Sequence, residues 1–180
     1  MITKAQRAEA VRETVKALSS AGIVITPEEE ESIEVADFGL GDLGNIGLQV
    51  VVYINTSRVC SKELVMTPWQ TCPEHYHPTI GGVPGKEETF RCRAGLVYLY
   101  VPGERNRAPE RHGLDTYAEY LNAEHEIVLR PGEQYTLAPD TPHWFRAGPE
   151  GAVVSEFSSP STDEYDIFTD PRIVRAPVVE

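Results

Sequence analysis

The chain has 180 residues with 28 acidic and 16 basic side chains, so its formal net charge is −12 at pH 7. Such an acidic chain is a poor partner for nucleic acid phosphates, and no apolar stretch approaches the ~20 residues of a membrane helix. Three cysteines without a Cys-x-x-Cys pair fit neither a disulfide framework nor a zinc finger. We therefore expect a single-domain cytoplasmic protein with no nucleic acid or membrane partner.

Two short helices are predicted at the amino terminus. Residues 3–20 carry apolar side chains at helical spacing, and Gly22 follows where a helix is expected to end. Thr26 and Glu29 form a capping box, which predicts a second helix over 27–36.

The middle of the chain has the pattern of an all-β domain. Short β-branched and aromatic runs are separated by Gly and Pro turns, without long helical patterns between them, which favours an antiparallel barrel or jelly roll. The runs cover 48–55, 59–67, 87–92, 96–101, 124–129, 133–137, 143–147 and 151–158. We expect one domain with a helical segment over 1–45, a barrel over 46–158 and a tail over 159–180 that packs on the barrel. Two longer connections, 78–86 and 104–121, are either lids or surface insertions.

Four residues in this pattern have the chemistry of metal ligands. His75 and His77 lie two apart, so in a strand their side chains point to the same face. Glu88 and His143 each begin another predicted strand. Three imidazoles and one carboxylate leave two positions open on an octahedral ion, and a catalytic metal needs open positions for its substrate.

The spacing of these ligands resembles the two motifs of the cupin superfamily, which implies a cupin-type jelly-roll β-barrel with short N-terminal helices. The matching residues are His75, His77, Glu88, Gly95, Gly132, Pro139 and His143. The chain departs from the pattern in three ways. Ten residues separate His77 from Glu88, where three or four are usual; the interval from Pro139 to His143 is one residue short; and Ala147 stands where Asn is common. A longer loop does not prevent convergence, because closure entropy grows slowly with length.

Further segments are similar to the D-lyxose ketol-isomerase family, and they extend over nearly the whole chain. They are Ser61–Leu64, Thr71–His75, Glu88–Arg93, Val97–Val101 and Asp166–Arg172. The resemblance implies a Mn²⁺-dependent sugar isomerase, usually homodimeric, that interconverts D-lyxose with D-xylulose. It implies less strongly the interconversion of D-mannose with D-fructose. It also implies that His75, His77, Glu88 and His143 hold the metal.

An aldose–ketose isomerase must move a proton from C2 to C1 of an open-chain sugar through a cis-enediolate whose two oxygens the metal holds. Lys62 is the candidate for moving the hydroxyl proton: it shares its strand face with Leu64 and Met66, and burial lowers the pKa of an unpaired lysine. Glu156 is the preferred base for the C2 proton, although the pattern leaves its direction open. Glu74 is the alternative base and a candidate sugar ligand.

Three other polar residues are candidates for binding the sugar. His125 lies on a strand face with apolar neighbours, so it is either an inward hydrogen-bond donor or a packed core histidine. Asp166 and Arg172 lie in the tail, where they bind sugar hydroxyls or contribute to a dimer contact.

Two other functions stay open at this stage. A cupin dioxygenase binding Fe²⁺ uses similar ligands, and a sugar-binding cupin needs no turnover. Lys62 favours proton transfer over oxygen chemistry. Other divalent transition metals remain alternatives to Mn²⁺.

Overall fold

The structure is a computed structural model that describes residues 2–109 and 111–175. Within these residues, two α-helices precede and flank a curled nine-stranded sheet, which confirms the all-β fold class. The helices are α1 (Lys4–Ser20) and α2 (Pro27–Glu31). The strands are β1 (Glu34–Ala36), β2 (Leu48–Asn55), β3 (Cys60–Met66), β4 (Thr71–Tyr76), β5 (Glu88–Val101), β6 (His125–Leu129), β7 (Gln134–Leu137), β8 (His143–Ser158) and β9 (Ile167–Phe168). No helix of the described part of the chain is both long and apolar enough to span a membrane.

The long strand β8 organises the sheet, since it pairs with three other strands. One half of β8 pairs with β3, the other half pairs with β4, and β5 runs antiparallel to both halves. The order β1-β2-β3-β8-β4-β9 continues through β5 to β6 and β7. This double pairing curls the sheet into a barrel, and the first residues of β5 and β8 come to lie near β3 and β4.

A close approach of two backbones allows β5 to continue past its bulge. Gly95 has a φ of +74°, and a Cβ there would lie 2.0 Å from the carbonyl oxygen of Gly151. Only glycine accepts both the left-handed conformation and this contact. The predicted runs 87–92 and 96–101 are therefore one bent strand, and the runs 143–147 and 151–158 are likewise joined in β8.

The boundaries of the elements near the amino terminus also differ from those predicted from the sequence. The second helix ends at Glu31 rather than residue 36, because Val35 joins the sheet opposite Gln49. The segment 1–45 therefore contains a strand as well as helices. The runs of apolar residues did not include β4, where Pro73 and charged residues interrupt the apolar pattern.

The apolar core has two parts on the two faces of the sheet. One fills the barrel interior and includes Phe90, Trp144 and Phe145. The other lies between α1 and the outer face, where Leu18 packs with Val51 and Val153 in one buried cluster. Since α1 covers only the outer face, the polar groups that face inward are enclosed by strands.

Glu74 anchors β4 to two neighbouring segments. One oxygen of its buried carboxylate accepts the backbone N–H groups of Asn122 and Ala123 at 2.7 and 2.6 Å. The other oxygen accepts the Thr169 hydroxyl at 2.8 Å, and the Glu74 carbonyl accepts the Thr169 N–H at 3.0 Å. This one side chain holds a long loop and the tail against β4.

Replacing Glu74 by alanine is therefore expected to lower the free energy of unfolding by about 3 kcal/mol, because it leaves buried backbone donors without partners. Urea denaturation measures the change, with Glu87→Ala as the control because the Glu87 side chain is exposed. Equal stability of the Glu74→Ala and control variants would show that Glu74 is not a structural anchor.

Candidate metal and sugar site

Three imidazoles and a carboxylate converge at one end of the barrel. His75 in β4 is the direct partner of His143, the first residue of β8, and His77 follows the end of β4. Glu88 is the first residue of β5. All four side chains are buried, and the three imidazoles have ligand atoms within 4.8 Å of one another. The strand pairing thus brings together residues that are up to 68 positions apart.

Backbone carbonyls fix the orientation of two of these imidazoles. His75 Nδ1 lies 2.8 Å from the Pro73 oxygen, and His143 Nδ1 lies 2.9 Å from the Thr141 oxygen. A carbonyl oxygen can only accept a hydrogen bond, so Nδ1 carries the hydrogen in both rings. In a neutral ring, Nε2 then presents a lone pair to the cluster. Burial, together with the neighbouring His143 and His77, lowers the pKa of His75 well below its usual range.

Two carboxylates fix the third imidazole. His77 Nδ1 lies 2.5 Å from Asp166 Oδ1, and His77 Nε2 lies 3.1 Å from Glu88 Oε1. Burial alone lowers the pKa of His77, but Glu88 and Asp166 outweigh burial and raise this pKa to about 9. A proton therefore joins His77 to Glu88 in the metal-free protein, and a cation that binds Nε2 must displace it.

Glu88 also faces His143. Glu88 Oε1 lies 3.0 Å from His143 Nε2, and this nitrogen is buried with no hydrogen-bond partner among the described residues. A neutral His143 presents the Nε2 lone pair to this oxygen, and two acceptor atoms at such a distance repel each other. A cation that both atoms ligate removes that repulsion, so the arrangement fits a metal ion.

A second group of charges lies beside the ligands on the inner face of the barrel. Lys62 in β3 and Glu156 in β8 are direct cross-strand partners, with Lys62 Nζ 4.0 Å from Glu156 Oε1. Lys86 Nζ lies 3.0 Å from the same Glu156 oxygen and 2.9 Å from Glu88 Oε2. One ammonium group thus connects the ligand Glu88 to Glu156, and all four side chains are buried.

Asp163 in the tail is also part of this group of charges. Its carboxylate lies 2.6 Å from Lys62 Nζ and 3.5 Å from Lys86 Nζ. Arg175 pairs with Asp163 at 3.4 Å and with Glu34 in β1. The tail therefore contributes charge to the cavity as well as covering it.

Ion pairing among these side chains offsets the cost of burying their charges. Burial alone raises the pKa of Glu88, but Lys86 and His77 outweigh it and hold this pKa well below its usual range. Burial lowers the pKa of Lys86, whereas Glu88, Glu156 and Asp163 raise it well above its usual range. The pKa of Asp163 is likewise held well below its usual range against burial by Lys86 and Lys62. These groups stay ionised across the neutral range.

The charge balance of the cavity also suits a divalent cation. Among the described residues, five carboxylates and three cationic side chains line it. They are Glu34, Glu88, Glu156, Asp163 and Asp166, with Lys62, Lys86 and Arg175. With neutral imidazoles the excess is two negative charges, which one divalent ion neutralises. Nitrogen and oxygen donors in this number fit a transition metal such as Mn²⁺ or Fe²⁺.

Three of the sequence candidates do not line the cavity. Glu74 points away from His75, to the other side of β4, where both of its oxygens are occupied. His125 is hydrogen-bonded through Nδ1 to the Glu104 carbonyl. Arg172 pairs with Asp170 and lies over the Tyr117 and Tyr120 rings. In each case the polar group is hydrogen-bonded or ion-paired to a residue that does not line the cavity.

The structure adds residues that the sequence reasoning did not select. Lys86 lies two positions before Glu88, and this spacing places both side chains on one face of an extended chain. That spacing could have identified Lys86. Asp163 and Arg175 belong to a tail without periodicity, and no local pattern indicates that they reach the cavity.

The chain matches the family model described as D-lyxose isomerase over residues 25–180. It is 59% identical over 180 residues to the D-lyxose/D-mannose isomerase of Thermosediminibacter oceani, covering 100% of this chain and 99% of that protein. It is 61% identical over 160 residues to the D-lyxose ketol-isomerase of Cohnella laeviribosi, covering 89% and 88%. The D-lyxose ketol-isomerase of a Thermofilum species is 56% identical over 179 residues, covering 99% of each.

Solved structures of L-ribose isomerases have the same fold. That of Acinetobacter sp. DL28 in complex with L-ribose superimposes with a TM-score of 0.80 at 17% identity, covering 96% of this chain and 94% of that one. The ligand-free enzyme of Cellulomonas parahominis gives 0.78 at 16% identity, with the same coverage. At such identity the likeness concerns the fold alone. The family match and the relatives, by contrast, cover most or all of the sequence, and the chain belongs to the D-lyxose isomerase family.

Proposed function

We propose that this protein is a metal-dependent aldose–ketose isomerase that interconverts D-lyxose and D-xylulose, and also D-mannose and D-fructose. The observation that carries the proposal is the convergence of the imidazoles of His75, His77 and His143 and the carboxylate of Glu88 beside a second group of charged side chains, Lys62, Lys86 and Glu156. The names of relatives at 56–61% identity support the choice of sugar. Buried ammonium and carboxylate groups suit proton transfer, whereas a dioxygenase needs an apolar pocket for oxygen.

The proposed ligands of the metal are His75, His77, Glu88 and His143. Mn²⁺ is the proposed ion, because the ligand set mixes imidazole with carboxylate and the charge of the cavity calls for two positive charges. When bound, the metal supplies Lewis acid stabilisation for negative charge on the sugar oxygens. Asp166 orients His77 through Nδ1, which keeps Nε2 directed at the ligand cluster.

Glu156 is the proposed base. Its carboxylate faces the cavity and lies 3.0 and 4.0 Å from the ammonium groups of Lys86 and Lys62, which hold it in place. It takes the C2 proton of the open-chain aldose, and the released electron pair moves through C1 to the carbonyl oxygen. The same carboxylate then returns the proton to C1 of the enediolate, and the ketone forms at C2.

Lys62 is the proposed carrier of the hydroxyl proton. The proton on O2 must leave and O1 must gain one for the ketose to form, and Lys62 Nζ is on the cavity face next to Glu156. Lys86 is a positioning residue, since it bridges Glu88 and Glu156 and fixes the distance between the base and the metal ligands.

The ligand assignment predicts that His77→Ala and Glu88→Ala each lose the metal. Elemental analysis should find about one metal ion per chain in the wild type and almost none in either variant. Their melting temperatures should fall to that of the chelator-treated wild type, because only the folded site binds the ion. His125→Ala is the control, since His125 does not line the cavity. Unchanged metal content in either variant would refute the assignment.

The proton-transfer roles predict that Glu156→Gln and Lys62→Met retain the metal and lose turnover by about 10² to 10⁴-fold. Exchange of the C2 hydrogen into solvent should be lost in Glu156→Gln, because no base collects it. Lys16→Met is the control, as Lys16 is an exposed lysine on α1. Oxygen uptake without ketose formation by the wild type would favour the dioxygenase instead, and sugar binding without exchange would favour a binding protein.

We further propose that the enzyme is a cytoplasmic homodimer. Ile54 and Phe157 flank Ser61 in register on the outer face, and their side chains are 46% and 48% exposed. A shared apolar surface of this kind is typical of an interface. Sedimentation should find a dimer for the wild type and a monomer for Phe157→Glu, with Val24→Glu as a control at a distant exposed position. A monomeric wild type would contradict the dimer.

A further inference from the structure

The cavity beside the proposed metal ligands is narrow, and the tail forms part of its lining. Water-sized groups reach about 40 Å³ within it, and Asp163 is one of the side chains that line it. A pentose has ten carbon and oxygen atoms. A sugar that reaches Lys62 and Glu156 must therefore displace part of this lining.

The walls of the cavity differ in how firmly they are held. The strands are joined by continuous ladders, and β9 is joined to β4. The segment 161–165, which we call the gate, has no such pairing and ends before Asp166, the partner of His77. Its backbone contacts the barrel through Asn55, which accepts the Ser161 N–H at 3.1 Å and donates to the Ser161 carbonyl at 2.9 Å. Segments with few backbone hydrogen bonds open at the lowest free energy cost.

Charged side chains supply the other contacts of the gate. Lys62 donates to the Ser161 hydroxyl at 2.8 Å and to Asp163 at 2.6 Å. Lys86 and Arg175 also contact Asp163, at 3.5 and 3.4 Å. Asp163 thus satisfies the ammonium groups that would otherwise meet sugar oxygens, and the same two ammonium groups face Glu156.

We propose that the gate opens to admit the sugar and that Asp163 is its plug, a carboxylate that holds Lys62 and Lys86 until sugar oxygens replace it. The plug keeps the two buried ammonium groups paired while the cavity holds no sugar, and its displacement reduces sugar affinity. This inference rests on the proposed sugar isomerase function. Asp163 is a positioning residue in this scheme, because it leaves the lysines before the reaction begins.

Binding of D-arabitol to the Mn²⁺-loaded enzyme tests the plug. This pentitol has the stereochemistry of D-lyxose with its carbonyl reduced, so it binds without reacting. In Asp163→Asn, the plug loses its charge and is displaced more easily, so the dissociation constant measured by calorimetry should fall about fivefold. Glu164→Gln is the matched control, since Glu164 lies on the same turn with its side chain exposed. Weaker or unchanged binding by Asp163→Asn would show that Asp163 is a sugar ligand or a structural pair instead.

Hydrogen exchange of the wild type gives a second test that needs no substitution. Sugar in the place of Asp163 prevents the gate from returning to Asn55, so the Ser161 amide should exchange faster in saturating D-arabitol than without it. Slower exchange would mean that the sugar binds behind a closed gate, and it would overturn the inference.

The two proposals fail in different ways. A wild type that neither binds D-arabitol nor converts D-lyxose contradicts the proposed function. A wild type that does both, with no gain in affinity in Asp163→Asn or no faster exchange at Ser161, contradicts only the gate.

Discussion

The whole arrangement depends on the close packing, in a buried site, of four side chains that have the chemistry of metal ligands. Carbonyl partners commit Nδ1 of His75 and His143 as donors, and their Nε2 atoms face the cluster that contains Glu88. The register of β8 with both β4 and β5 holds these side chains close together. A fold that holds nitrogen and oxygen donors together in this way is preorganised for a cation, and the ion in turn stabilises the fold.

The charged side chains in the rest of the cavity also suit a bound cation. Carboxylates outnumber cationic side chains along its walls, and lysines separate the carboxylates from one another. Lys86 lies between Glu88, the proposed ligand, and Glu156, the proposed base. In the proposed function, two chemically identical groups thus acquire different roles from their neighbours. The tail extends the pattern, since Asp163 supplies the charge that a sugar would replace.

The strands of the barrel and the candidate metal ligands can be predicted from the sequence, because both depend on the pattern of neighbouring residues along each strand. Alternation along strands gives the inward direction of Lys62, and the first positions of β5 and β8 are predicted for Glu88 and His143. The direction of Glu156 could not be predicted, because apolar residues lie on both faces of its strand. For Glu74 the sequence suggested a role at the site, because this residue precedes His75. The structure directs its side chain away from the cavity, because the buried carboxylate accepts the N–H groups of Asn122 and Ala123. Contacts of the tail depend on long-range packing, for which the sequence has no local pattern.

A crystal of the protein grown with Mn²⁺ and measured at the manganese absorption edge would show whether these four residues hold the ion. One anomalous peak is expected within bonding distance of Nε2 of His75, His77 and His143 and of a Glu88 carboxylate oxygen. A peak elsewhere, or manganese bound by fewer than three of these residues, would contradict the proposed metal site.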